Sequence, residues 1–297
     1  MKNIPIVLIH KGDSAYLAAS ILHNKKFNPD TDIILIGDKR NSIYKGSVTH
    51  YLLVDYFKAA EAIAQKYIHL STNGAEFELI CIQRWFVLKE FMDRKGLDQC
   101  IFLDSDVLSF TALNVQKFKL EKYGMTMVGI SAHTNFVLDK KILDTFCTFI
   151  EACYTTKADW LQKKYTEVIA GGKGGGVSDM TFFTEFRKLN PERIKDLQVP
   201  EEGVYDITFD YHQGFEMYKG FKKIVFRNGI PFGKLQDQAI FIPFYTIHFQ
   251  GNSKKYLKKM AQVSGRQVIL KEYYAVNFLV NRTLRKIKVK VSKFLSI

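Results

Sequence analysis

Cys100-Ile101-Phe102-Leu103-Asp104-Ser105-Asp106 decides how this chain is read. Four apolar residues, in the pattern of a strand buried on both faces, run straight into two carboxylates one residue apart. Side chains of an extended segment repeat every second residue, so Asp104 and Asp106 are expected to point the same way. Two carboxylates aimed together repel unless a cation lies between them. Hard divalent ions such as Mn²⁺ or Mg²⁺ take such oxygen ligands and commonly share them with phosphates. The expectation is a metal-diphosphate site at the carboxyl edge of a sheet, where open α/β sheets place their ligands.

Working outward, the residues before this stretch alternate strand and helix. Ile4 to Ile9 and Asp32 to Ile36 read as buried strands, and Thr49 to Val54 as a third. Tyr16 to Asn24, Tyr56 to Tyr67 and Glu78 to Arg94 read as helices, the last stopping at Gly96. Such alternation predicts a mostly parallel sheet flanked by helices. After it come a strand from Met125 to Ile130 and helices over Ile142 to Tyr154 and Asp159 to Ala170. Gly171 to Gly176 holds five glycines around Lys173, and Ser178 is placed to cap a helix running to Lys188. This loop lacks the strand-to-helix setting and the Gly-Lys-Ser/Thr ending of a phosphate-binding P-loop. From Val204 the texture becomes β-like: Phe221 to Arg227, an Asn228-Gly229 hairpin signal, then Ile240 to Phe249, with Gln236-Asp237-Gln238 read as a turn into that last strand.

Composition narrows the class. The chain has 297 residues, 47% hydrophobic and 14% aromatic, enough for a sizeable core. The four cysteines, Cys81, Cys100, Cys147 and Cys153, form no C-x-x-C pair, so neither zinc nor a redox dithiol is indicated, and buried thiols in a reducing compartment are expected. The opening apolar run is too short for a signal peptide, and no stretch reaches the ~20 apolar residues of a membrane span. A cytoplasmic protein, or one bound to the inner face of a membrane from the cytoplasm, is expected. Net charge is +13, and from Lys254 onward twelve Lys or Arg face a single acid, Glu272. A basic tail on a nearly neutral body reads as a binder of an anionic surface. Leu284, Ile287, Val291 and Phe294 would line one face of a helix in it, as in interfacial amphipathic helices, although Ile287 to Val291 also alternates like a strand.

Four elements occur in a recognisable order: Arg84 in an apolar-rich helix, Asp104-Ser105-Asp106 after a strand, the Gly-rich loop leading to Ser178-Asp179, and Ile247-His248-Phe249-Gln250-Gly251-Asn252-Ser253-Lys254. Together they resemble the metal-dependent glycosyltransferases of the GT-A fold, most closely glycosyltransferase family 8 and bacterial relatives that decorate surface polysaccharides. The resemblance covers about residues 1 to 260, leaving 261 to 297 as the basic tail. It implies an α/β GT-A domain with a smaller C-terminal β-containing region, and transfer of a hexose from a nucleotide diphosphate sugar, read as a UDP-sugar, to a saccharide or lipid-linked saccharide. It implies Asp104, Asp106 and His248 as ligands of Mn²⁺ or Mg²⁺. Gly251 and Lys254 would meet the diphosphate, Ser105, Asp13 and Tyr16 the nucleotide, and Arg84 the diphosphate or sugar. Asn135 and Asp179 would lie near the donor sugar, with Asp179, Arg84 and Asn135 as the catalytic set.

The chain departs from the family pattern at Lys254-Lys255-Tyr256, where Lys-Pro-Trp is usual, and at His133-Thr134-Asn135-Phe136, which lacks the usual Gly. Structural roles fit some of the same residues: Asp179 suits the start of a helix dipole, His248 a satisfied core position, and Arg84 a helix surface. Asp210 and His212 are candidates for acceptor contacts. Two other classes remain open. A nucleotidyltransferase of sugar phosphates would place a Gly-rich basic loop after the first strand, where this chain has only Lys11-Gly12. A nucleic-acid-binding protein would work through the tail, without need of Asp104 or Asp106, and no nucleic-acid module is recognisable.

Overall fold

The structure is a computed structural model and describes residues 3–172 and 175–262. Lys173 and the tail from residue 263, with its expected amphipathic helix and lipid contact, lie outside the described residues.

The first half alternates as expected: β1 (Ile6–His10), α1 (Leu17–Phe27), β2 (Ile33–Gly37), β3 (Thr49–Leu52), α2 (Lys58–Ala64), α3 (Ala75–Lys95) and β4 (Cys100–Leu103). Next come β5 (Val107–Ser109), α4 (Leu113–Lys117), β6 (Met125–Met127), β7 (Thr134–Val137), α5 (Lys140–Tyr154), α6 (Ala158–Ala170) and α7 (Asp179–Leu189). The remainder is mostly strand: β8 (Ile194–Asp196), β9 (Val204–Tyr205), β10 (Met217–Tyr218), β11 (Phe221–Lys222), β12 (Ile224–Arg227), β13 (Ile230–Lys234) and β14 (Phe241–His248), closed by α8 (Leu257–Gln262). α8 runs past residue 260 and buries Leu257 and Met260 against the C-terminal strands.

Two sheets matter for the site. The central one has the order β3-β2-β1-β4-β7; its first four strands are parallel and β7 pairs antiparallel to β4. The second is antiparallel, β12-β13-β14-β5, with β9 added alongside β14. Strand alternation sorts the central residues into two cores. Val7, Ile34, Ile36 and Phe102 face α3, α5 and α7, where Trp85, Phe146 and Phe183 are fully enclosed. Ile6, Leu8, Ile33, Leu35, Ile101 and Leu103 face the opposite side with Leu17 and Ile21 of α1. Each enclosed side chain of this size contributes roughly 1.5–3 kcal/mol. A third cluster, around Phe215, Phe226, Phe244 and Phe249, fills the second sheet.

Several boundaries differ from expectation for local reasons. β6 stops at Met127 because Gly129, at φ +65°, turns the chain and Val128 bridges to Ser131. The expected strand over Phe221 to Arg227 breaks at Lys223, so Phe221–Lys222 pairs with β10 and Ile224–Arg227 with β13. The Asn228-Gly229 hairpin forms, with both residues at positive φ, as a two-residue primed turn requires. Gly96 ends α3 in the left-handed conformation, and Leu97 N–H returns to the Met92 carbonyl. The short strands β5 and β7 carry too few residues for a period to register.

β5 is fixed by asparagines. Asn24 Nδ2 donates to the Val107 carbonyl at 2.9 Å, and its Oδ1 accepts from Ser109 N–H at 2.8 Å. Asn28 Nδ2 reaches Ser109 Oγ at 3.0 Å, and its Oδ1 accepts from Leu113 N–H at 2.8 Å. These bonds tie α1 to the strand that leaves the Asp-Ser-Asp segment. Asn24→Leu keeps the number of side-chain heavy atoms but strands the Ser109 N–H, so stability is expected to fall by about 1–3 kcal/mol in urea unfolding. On the same helix, His23 lies buried between Phe27 and Phe110, and burial lowers its pKa from 6.5 to about 4. The unfolded chain takes the proton first, so this group favours folding above pH 6.5 and loses that contribution as pH falls towards 4. His23→Leu is expected to be less sensitive than the wild type to acidification across that window, by up to about 3 kcal/mol in unfolding free energy.

Candidate active site

The chain leaves the central sheet at the end of β4 and enters the second sheet at β5. The three residues between are Asp104, Ser105 and Asp106. They form a turn rather than extended chain: Val107 N–H donates to the Asp104 carbonyl at 3.0 Å. The turn, not strand alternation, is therefore what brings the two carboxylates together. Its ends are anchored, since Asp104 N–H donates to the His133 carbonyl at 2.8 Å and the Asp106 carbonyl accepts from Phe249 N–H at 2.9 Å. The antiparallel register of β5 with β14 sets His248 opposite Val107. His248 Nε2 then lies 3.6 Å from Asp106 Oδ1, and Asp104, Asp106 and His248 each offer a ligand atom within 4.8 Å of the others.

Two cations and an indole N–H balance these carboxylates. Lys254 Nζ is 3.0 Å from Asp106 Oδ2. Arg84, from α3, spans two acids: one guanidinium nitrogen donates to Asp104 Oδ1 and the other to Asp179 Oδ2, both at 2.6 Å. Trp85 Nε1 donates to the same Asp179 oxygen at 3.2 Å. Burial alone would raise Asp106, but His248 and Lys254 hold it well below the usual carboxylate range. Burial pushes Asp104 up, with Arg84 opposing. Burial works against the Arg84 charge, yet Asp104 and Asp179 outweigh it and push the guanidinium higher. His248 is raised against its own burial, chiefly by Asp106 and then Asp104.

The cluster lies in a cleft of about 490 Å³. One wall is the turn after β1, with His10, Lys11, Ser14 and Tyr16; the other is α3 and the start of α7, with Phe77, Cys81, Arg84, Asp179 and Met180. Ser105, Gln250 and Lys254 complete the floor and rim. His10 is held at both ring nitrogens, by Ser105 Oγ at 2.8 Å and Ser14 Oγ at 3.1 Å. The turn is braced by Asn41, whose Nδ2 donates to the carbonyls of His10 and Gly12, each at 2.8 Å. Ser178 precedes α7 as expected, its N–H donating to Thr181 Oγ1 at 3.2 Å, which places Asp179 at the helix start facing Arg84.

The structure thus brings together Arg84, Asp104, Ser105, Asp106, Asp179, His248, Lys254 and Tyr16. Gly251 stands next to the cleft-lining Gln250, at φ +55°. Two expected residues sit elsewhere. Asn135 is fully buried in β7 opposite Phe102, its Oδ1 accepting from Thr126 N–H at 3.2 Å, so it splices β6 to β7 instead of lining the cleft. Asp13 turns outward to accept from Tyr44 Oη at 2.9 Å. Asp210 and His212 are also outside the cleft lining and cap a local turn through Thr208 and Gly214. Sequence reasoning passed over His10 as a site residue of its own, although a histidine ending the first buried strand was a usable signal. Gln250, between His248 and Gly251, was a second.

No protein-family profile matches the sequence, and a search of curated proteins finds no match. Solved structures with a similar backbone include mouse xyloside xylosyltransferase 1 in its apo form, at 12% identity and TM-score 0.46, covering 70% of this chain and 87% of that one. The apo WbbM bifunctional glycosyltransferase matches at 9% identity and TM-score 0.42 over 66% of this chain. The apo glycosyltransferase GlyE of Streptococcus pneumoniae TIGR4 matches at 17% identity and TM-score 0.38 over 72%. This chain spans 39% of the WbbM chain and 49% of the GlyE chain. At these scores the likeness carries no weight for function, and it is the site geometry that has to support a reading.

Arg84 is the cation that lets Asp104 and Asp179 share the cleft. Arg84→Met is expected to lower stability at pH 7 by roughly 3–5 kcal/mol, because two acids lose their partner. Millimolar Mn²⁺ should raise its melting temperature more than it raises that of the wild type. Equal metal responses in the two proteins would contradict the shared-charge account.

Proposed function

We propose that the chain is a metal-dependent glycosyltransferase of GT-A type, moving a hexose from a nucleotide diphosphate sugar, read as a UDP-sugar, to a saccharide hydroxyl. The observation that carries this reading is the convergence of Asp104, Asp106 and His248, with Lys254 beside them, at the carboxyl ends of β1 and β4. The donor set fits a divalent cation. Two hard carboxylates and one imidazole nitrogen are together, His248 Nδ1 is already committed to the Ile207 carbonyl at 2.8 Å, and Nε2 is left facing Asp106. Imidazole among carboxylates favours Mn²⁺ over Mg²⁺.

The cleft has the order such a donor needs. The β1 turn with Tyr16 and Ser105 suits a nucleoside, the carboxylate cluster a diphosphate, and the Arg84–Asp179 wall a sugar. The bound ion would neutralise the departing diphosphate as a Lewis acid. Lys254 supplies a second positive charge to the same group, pre-positioned by Asp106. Arg84 holds Asp179 in a fixed rotamer together with Trp85, which orients that carboxylate as an acceptor for donor-sugar hydroxyls. With one oxygen of Asp179 committed to two N–H donors, this arrangement favours transfer in which the departing phosphate oxygen takes the acceptor proton. Phe77, 60% exposed at the cleft wall, offers an apolar face to the sugar rings. A saccharide or lipid-linked acceptor in surface polysaccharide or lipopolysaccharide synthesis, and a cytoplasmic site of action on the membrane's inner face, belong to the same proposal. No helix among the described residues is long and apolar enough to cross a membrane.

Calorimetric titration of UDP with and without Mn²⁺ tests the reading. Metal-dependent UDP binding is expected in the wild type. Asp106→Ala should lose about a hundredfold or more in affinity, roughly 2.7 kcal/mol. Absence of UDP binding in both proteins would sink the UDP-donor proposal.

A further inference from the structure

Behind His248 lies a charged pair that the cleft does not contain. Lys222 Nζ is 2.6 Å from Asp206 Oδ1, and both side chains are fully enclosed; no other ion pair among the described residues has both members at 0% exposure. Lys222 Nζ also donates to the Thr208 carbonyl at 2.7 Å. The ammonium therefore grips the chain on both sides of Ile207, whose carbonyl accepts from His248 Nδ1 at 2.8 Å. Asp206 adds two further ties: its Oδ2 accepts from His248 N–H at 3.1 Å, and its backbone carbonyl accepts from His133 Nε2 at 2.9 Å. The His133 ring lies against the His248 ring at 4.0 Å and 17° between planes.

An enclosed ion pair is a poor stabiliser, since a well-packed apolar pair does as well or better. Geometry is what this one supplies. We propose that the Lys222–Asp206 pair is a positioning device for His248, holding segment 206–208 so that Ile207 fixes the imidazole through Nδ1 and keeps Nε2 aimed at Asp106. The inference rests on the metal reading given above. It assigns the pair no contact with metal or substrate. Partners behind a metal-binding histidine that fix its ring and tautomer typically change metal affinity 10- to 100-fold when removed.

The test uses the full chain in two measurements. In metal-free wild type, nitrogen-15 NMR should show a His248 Nδ1 proton protected from exchange. Mn²⁺ binding, followed by electron paramagnetic resonance, is then compared among wild type, Lys222→Met and the charge-neutral Lys222→Met/Asp206→Asn variant. The double variant is included because the single one leaves an enclosed carboxylate unpaired and can fail to fold. The expected result is a double variant that melts near wild type, binds Mn²⁺ about tenfold or more weakly, and exchanges the Nδ1 proton faster. A folded double variant with Mn²⁺ affinity within about twofold of wild type and an unchanged Nδ1 signal would overturn the proposal. If neither variant folds, the wild-type signal decides, with free exchange overturning the assignment and protection supporting it. Failure of wild type to take up Mn²⁺ would instead remove the metal reading, and the exchange comparison would still decide whether the pair holds the ring.

Discussion

Everything at the cleft depends on the register between β5 and β14. Three residue pairs, Thr246 with Ser109, Ile247 with Leu108 and His248 with Val107, join the segment leaving the Asp-Ser-Asp turn to β14, the last strand among the described residues. A shift of one residue would turn Ile247 to the cleft and His248 to the core behind it. The register is secured at both ends: by Phe249 N–H on the Asp106 carbonyl, and by Asn24 of α1 and Asn28 just after it, which grip β5. Residues more than a hundred positions apart become neighbours because two sheets share this short strand, which belongs to one and follows directly from the other.

The charge arrangement follows from that meeting. Asp104, Asp106 and Asp179 converge in a part-enclosed space, and Arg84 and Lys254 reach in from different elements. Each carboxylate keeps company with a cation even without a bound ion. The protein therefore folds with its acids already in place, each held by a neighbouring cation. The arrangement differs from a purely structural ion-pair network in its placement, since it opens into a cleft whose other wall is the strand-to-helix turn of the first parallel strand.

Much of this was legible in the residues. Continuous apolar runs ahead of Gly12, Gly37 and Asp104 announced buried parallel strands, and Asp104-Ser105-Asp106 announced paired carboxylates, to which the family resemblance added His248 and Lys254. The path by which the carboxylates converge was not legible: a turn closed by Val107 N–H replaces extended chain, a choice made by the second sheet's demand on β5. Asn135 was misplaced because a motif position does not encode which face of β7 a side chain takes, and its register with Phe102 sends it into the core. Asp206 and Lys222 drew no notice because an acid and one lysine of a Lys222-Lys223 pair sixteen positions apart look like solvated surface until β11 and the chain beside β14 fold over them.

The hydrogen bond from Trp85 to Asp179 carries one more consequence. The chain has two tryptophans. Trp160 is half-buried on α6, away from the cleft, while Trp85 is wholly enclosed with its indole N–H on the very carboxylate that Arg84 holds. Indole emission shifts with the field and hydrogen bonding at its nitrogen. The molecule thus has an optical reporter wired to one acid of its cleft, and any event that moves charge on or off Asp179 is written into the protein's own fluorescence without a label.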